Sequence, residues 1–250
     1  MVKFGVADYG VDVWEGGNYC LEQRLLKLKE IGYDGIERLK GQDLSEAFNN
    51  AITFHRNGMD FACADMPTPE FTFRCAAAFG KSYVWMPSKG RENLDIDVYC
   101  RRCRVFAEAG AYYGVKCALH NHMGNRIESQ DELEYFMKEV PQATLLLDVG
   151  HLAGVGGDNL YILEKYFDRL SFIHLKGVVK KDMDAPMSTW WNKYRLCSIL
   201  EDQLGIDFKG ILKILKKRNY DGWILVEHDT HLRSPYEDLK EALAYIKANF

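Results

Sequence analysis

Eight short apolar runs rich in β-branched residues recur along the chain, each followed by a longer stretch of helical periodicity, and this alternation constrains the fold more than any other feature. The runs are 2–7, 33–38, 59–64, 82–86, 115–120, 144–148, 171–175 and 223–227. A strand that must be joined to a parallel neighbour needs a crossover, and a helix is the usual one. Eight such units in 250 residues match a single (β/α)8 TIM barrel, an α/β fold, so one domain over residues 1–250 is predicted. Hydrophobic residues make up 47% of the chain and charged ones 27%, enough for a large core and a solvated exterior.

Local signals agree with that frame. Ser129 and Glu132 have the spacing of a capping box ahead of Leu133, Phe136 and Met137. Asp207 precedes an apolar-periodic segment, and Ser234-Pro235 places proline where a helix has no use for its missing N–H. Two corners, EIGYDGIE from Glu30 and KRNYDGWILVE from Lys217, share one device: a helix stops at Gly or Asn, a Tyr-Asp-Gly turn follows, and a strand ends on Glu. One connection breaks the economy. About thirty residues, Gly177 to Ile206, separate the seventh strand from its helix, well beyond ordinary loop length. They hold Trp190, Trp191, Tyr194 and Arg195, aromatic and cationic groups suited to closing over a polar ligand or to packing as a small subdomain.

A net charge of −4 offers no general attraction for polyanions, so nucleic acid and membrane surfaces are not the expected partners; a small molecule is. The chain starts directly on a strand-like run, and no segment approaches about 20 uninterrupted apolar residues. A cytoplasmic protein is expected, with homo-oligomerisation left open. Seven scattered cysteines then read as reduced thiols. Cys100 and Cys103 form a CxxC, but within a helical stretch and without a second pair, so packing is the expected role.

In a barrel of this kind the chemistry lies at the C-terminal rim, which makes the polar residues at strand ends the candidates. Strand six ends in Asp148, strand seven in His174, strand eight in Glu227, and strand five runs into His120-Asn121-His122. Alternation puts Leu146 with Asp148, Phe172 with His174 and Lys176, and Leu225 with Glu227. Each alone has a plain reading as a cap or a hydrogen-bonded structural residue. Together, acids and an imidazole on successive strand ends call for a shared cation, and this mixture suits manganese, iron, cobalt or zinc, and magnesium less well.

The segments LLLDVGH, FIHLKGV and GWILVEHD, in this order, resemble the sugar phosphate isomerase/epimerase group of the xylose-isomerase-like TIM barrels. GYDGIE at the second strand extends the likeness, and ALHNHMGNRIESQDEL is most similar to the inosose (2-keto-myo-inositol) dehydratase branch. The resemblance implies one catalytic divalent metal held by Asp148, His174, Glu227 and a fourth ligand. Glu128 is the choice for the fourth, with His120 or His122 as the alternative; its plain reading is an acid favoured beside the Ser129 cap. The chain departs from the group at Gly177, where relatives carry Asp. It also lacks the fuller glycine-rich form around GIDF, and it is shorter than typical inosose dehydratases.

A divalent cation chelating a ketone and its neighbouring hydroxyl acidifies the α-proton by holding the enediolate oxygen. The base is expected among His122, His151, Glu128 and Glu227, with Lys176 holding an oxygen or assisting a leaving group. Glu37, Trp14, His120, Trp190 and Arg195 are expected on the substrate; for Glu37 an ion pair, and for either tryptophan core packing, is the competing role. Elimination of water from an inosose-like keto-polyol is the leading expectation, ahead of sugar (phosphate) isomerisation or 3-epimerisation. An endonuclease-like phosphodiesterase would need more histidines and a basic groove; a non-catalytic sugar-binding subunit would not need the acids and imidazole intact.

Overall fold

The structure, a computed structural model, describes residues 1–12, 20–88, 90–91, 94–229 and 232–250. Eight strands make the barrel: β1 (Lys3–Val6), β2 (Gly35–Lys40), β3 (Asp60–Asp65), β4 (Tyr83–Trp85), β5 (Lys116–His120), β6 (Thr144–Asp148), β7 (Leu170–Leu175) and β10 (Trp223–Val226). Between the last two stands a hairpin of β8 (Gly177–Lys180) and β9 (Tyr194–Cys197). The barrel strands run parallel in the order β3-β2-β1-β10-β7-β6-β5-β4, and β3 packs beside β4 where the cylinder comes round. The eight expected runs are these eight strands, their limits displaced by two residues at most.

Side-chain alternation sorts the core into two layers. On β6, Leu145 and Leu147 join the large cluster between sheet and helices, while Leu146 points the other way and packs inside the cylinder with Ala118, Phe172, Trp223 and Leu225. Burying each leucine stabilises the fold by about 2 kcal/mol, which is why the strand reads as a continuous apolar run. The Trp223 indole takes so much of the cylinder that a Cβ on Gly5 of the neighbouring strand would come within 2.8 Å of it.

Helix starts follow their local chemistry. Ser129 and Glu132 form a complete capping box on the helix Gln130–Glu139, Asp207 accepts from Gly210 N, and Pro235 opens the last helix. Both expected corners turn through left-handed backbone, at Gly32 (φ 107°) and Asn219 (φ 53°). Cys100 and Cys103 are buried within the helix Ile96–Tyr112, and burial pushes their thiols up to about 11 and about 12. All seven cysteines are free. Among the described residues no helix is long and apolar enough to cross a membrane.

The long connection holds two strands absent from the expected list. β8 and β9 pair antiparallel from Gly177↔Cys197 to Lys180↔Tyr194, and Val178, Tyr194 and Leu196 pack with Met123 from the loop after β5. The connection is therefore a packed unit that also carries the helix Trp190–Lys193 toward the barrel mouth.

Candidate active site

The polar side chains at the rim continue the inward faces of the strands. Two residues beyond Ala118, Leu146, Phe172 and Leu225, all inside the cylinder, come His120, Asp148, His174 and Glu227. All four are buried, at 8%, 0%, 0% and 7% exposure, so their charges must be met by one another or by a ligand. Two residues further on, Lys176 and Asp229 complete the group.

Asp148 divides its carboxylate between two tasks. Oδ1 accepts from His151 N (3.0 Å) and caps the helix Val149–Gly154, while Oδ2 lies 3.2 Å from His120 Nε2 and 3.5 Å from His174 Nδ1. Asn121 clamps the same strand end, donating to Asp148 O and accepting from Asp148 N, each at 2.9 Å. His174 Nδ1 is also 2.8 Å from Glu227 Oε2, and its Nε2 is 2.9 Å from Glu37 Oε1. The other face of Glu37 Oε1 accepts from Trp85 Nε1 at 3.0 Å. His120, Asp148 and His174 each offer a ligand atom within 4.8 Å of the others, a carboxylate with two imidazoles of the kind that holds a divalent ion.

A cation of the chain's own stands there as well. Lys176 Nζ lies 3.0 Å from Asp148 Oδ2, 2.6 Å from Glu227 Oε2, 2.9 Å from Asp229 Oδ2 and 3.2 Å from His151 Nε2, four neighbours for three hydrogens. Gly150 makes this possible, since a Cβ there would meet Lys176 Cγ at 2.4 Å.

Charge settles the protonation states. Burial alone would push Lys176 and His174 down, but the facing carboxylates outweigh it and hold both well above their usual values. Burial would likewise push Asp148 and Glu227 up; Lys176 in the first place holds both below the carboxylate range. Asp229 goes the other way, up to about 7, through burial and the Glu227 charge. Asp148, Glu227 and Asp229 thus surround Lys176, and among the described residues Asp229 Oδ1 is buried without a hydrogen-bond partner. Buried nitrogen and oxygen donors converging on one point fit a divalent cation.

Above this floor opens a cavity of about 600 Å³, within the usual range for small-molecule sites. Glu37, His120, His122, Lys176, Trp190, Arg195 and Glu227 from the expected set line it. His122 stacks on His151 with ring centroids 3.6 Å apart, and the Trp190 ring meets both edge-on at 5.9 and 5.7 Å. Burial keeps both imidazoles neutral, His122 being lowered to about 4 and His151 well below its ordinary value.

Glu128 stands elsewhere. It is ion-paired with Arg91, which also binds Glu132 at 2.8 Å, and it is not part of the His120–Asp148–His174 group. Its position before the capped helix draws it to the guanidinium, while His120 takes the place beside Asp148. Trp14 lies outside the described residues. Sequence reasoning missed Asp229, Trp85 and Arg38. Asp229 carried a usable signal, being two residues past Glu227; the tilted contact of Trp85 with His120 (centroids 4.6 Å apart) and the placing of Arg38 over Trp85 (4.6 Å) depend on which strands become neighbours.

Comparison with known proteins follows the same lines. Over 142 residues the chain is 35% identical to an inosose dehydratase of Clostridium beijerinckii, a stretch covering 54% of this chain and 48% of that one. It spans about half the length of the curated relatives it matches. Among solved structures it resembles the probable 3-DHS dehydratase AsbF of Bacillus anthracis (TM-score 0.74, 15% identity, 98% of each chain covered). It also resembles the 3-keto-D-glucoside 4-epimerase YcjR of E. coli (TM-score 0.72, 15% identity, 99% and 100% covered). At that identity the likeness concerns the fold. The sequence pattern of the Xylose isomerase-like TIM barrel family matches residues 70–249, most of the chain, and with the eight-stranded barrel this makes the protein a member of that family.

Proposed function

We propose that this chain is a divalent-metal-dependent enzyme that removes a proton beside the ketone of a keto-polyol, with elimination of water from an inosose-like substrate as its reaction. The observation that carries the reading is the meeting of Asp148 Oδ2, His174 Nδ1 and Glu227 Oε2 beneath a polar cavity, His174 lying 3.5 and 2.8 Å from the two acids. These three with His120 would hold the cation, His120 taking the place expected of Glu128. The name of the C. beijerinckii relative supports the dehydratase reading over isomerisation or epimerisation.

Bound there, a divalent cation supplies a Lewis acid for the charge that develops on a ketone oxygen. The residues supply the rest. His122 and His151, neutral and stacked at the cavity edge, are proton acceptors; His122, which lines the cavity, is placed to take the α-proton. The Nδ1 of His122 is 2.6 Å from Met123 O and so carries the hydrogen, leaving Nε2 as the accepting atom. Lys176, held protonated, can donate to the departing hydroxyl, and Asp229 steadies its ammonium from the other side. Glu37 fixes the His174 ring through Nε2, and Trp190 keeps water from the imidazole pair.

The test incubates the manganese-loaded protein in D₂O with keto-inositols and ketoses, following deuterium uptake and loss of water together. Deuterium uptake with elimination from a keto-inositol is expected. Uptake without elimination would move the reading to an epimerase or isomerase, and no uptake from any ketone would end it.

A further inference from the structure

Trp85 has no part in the chemistry above, yet both imidazoles of the proposed cation site rest against it. Its ring centroid lies 4.6 Å from that of His120 and 5.8 Å from that of His174, and those two are 5.1 Å from each other. Strand order puts it there: Trp85 ends β4 in register with Ala118 of β5, two residues before His120. Its Nε1 donates to Glu37 Oε1 at 3.0 Å, and the same oxygen lies 2.9 Å from His174 Nε2. One side chain thus packs on His120 and holds the carboxylate that holds His174.

The indole is itself held. The Arg38 guanidinium lies over it, 4.6 Å from the ring centroid, and is forked onto buried Asp8 at 2.7 and 3.1 Å, with Asp65 Oδ2 3.2 Å from its Nη1. An indole N–H only donates and does not titrate, so its bond to Glu37 has one sense whatever the charge nearby. A carboxylate held by His174 alone could turn to another donor. Pinned by a second N–H, it can turn only by leaving two buried donors unpaired. We propose that Trp85 is a positioning residue for the cation: its N–H fixes Glu37, and through Glu37 it fixes the His174 ring beside His120 and Asp148 before the cation binds. This rests on the reading of the floor given above and adds the residue that sets its affinity.

The experiment titrates manganese calorimetrically into the dialysed whole protein, with W85F, E37A and W85F/E37A beside the parent. Phenylalanine keeps a ring against His120 and Arg38 and removes the donor. W85F is expected to weaken manganese about three- to tenfold, and E37A about tenfold to a hundredfold, as the loss of a partner of a ligating histidine does. The double variant should bind as E37A does, because an N–H with no carboxylate to hold has nothing to transmit. W85F should melt in EDTA within about 4 °C of the parent, the loss of one neutral hydrogen bond. Should E37A not fold, E37Q repeats the cycle, and the W85F loss should shrink in its background. Parent-like affinity in W85F overturns the inference, and so do losses that multiply in the double variant, which would make Trp85 and Glu37 independent. If the parent binds no manganese, this inference falls together with the reading of the floor. Manganese bound alike by parent and W85F removes this inference alone; a coupled loss in a protein that exchanges no deuterium would keep it and remove the proposed reaction.

Discussion

At the scale of single residues, Lys176 decides how the site survives without a ligand. It is 1% exposed and meets Asp148, Glu227 and Asp229, so Lys176→Met would leave buried acids without their cation. Removing one partner of a buried network costs about 3–5 kcal/mol, and that loss is expected in EDTA. Manganese should restore most of it, giving the variant a larger metal-induced rise in melting temperature than the parent. Equal rises would show that these acids do not hold the ion. His122 sets a second expectation. Its pKa is about 4 in the folded chain against 6.5 for a free histidine, burial being the first cause, so below pH 6.5 the unfolded chain takes up a proton that the folded one refuses. Stability falls as pH drops from 6.5 toward 4, by about 3 kcal/mol at most from this group. His122→Gln should lose correspondingly less stability in urea titrations between pH 7 and pH 4.5, and an unchanged loss would contradict the buried neutral imidazole.

At the scale of elements, the hairpin β8–β9 and the short helix Trp190–Lys193 separate what the sequence makes legible from what it hides. Helix starts at Gln130, Phe208 and Pro235 are decided by atoms within four residues, and they could be read directly. The hairpin could not. Gly177 directly follows Leu175-Lys176, so β8 reads as the tail of β7, and its partner β9 lies fourteen residues beyond it behind a segment without turn periodicity. Only the excess length and the aromatic content of the connection pointed to a function there. The structure turns that hint into a test, because Trp190 covers His122 and His151 while remaining partly exposed itself. Trp190→Ala should change stability by about 1 kcal/mol or less, as expected of a partly exposed side chain away from the main core. It should nevertheless slow α-proton exchange about tenfold by admitting water to the imidazole pair. A variant that melts like the parent and exchanges at the parent rate would reduce the hairpin to packing.

At the scale of the whole molecule, the eight-stranded frame explains why the four rim residues were legible, with His120 read there as the alternative to Glu128. Alternation fixes an inward face for each strand, and the barrel brings the ends of those faces to one mouth, so Asp148, His174 and Glu227 followed from position alone. The fourth place depended on whether Arg91, from another loop, would claim Glu128, and no spacing along the chain encodes that. An ion held at that convergence, as proposed, would tie its binding to the stability of the barrel. A ligand at about a hundred times its Kd adds about 2.7 kcal/mol to folding, and in a chain of this size each kcal/mol moves the melting temperature by about 2–4 °C. Saturating manganese should therefore raise the melting temperature of the dialysed protein by about 5–10 °C. Asp148→Asn is the discriminating variant: asparagine still caps the helix Val149–Gly154 through its side-chain oxygen, yet it brings no charge to the cluster. It should melt below the parent in EDTA, having lost a charged partner of Lys176, and show almost none of the shift with metal. If calorimetry gives the variant the full shift, the ion is bound elsewhere, and the acids of the rim serve Lys176 alone.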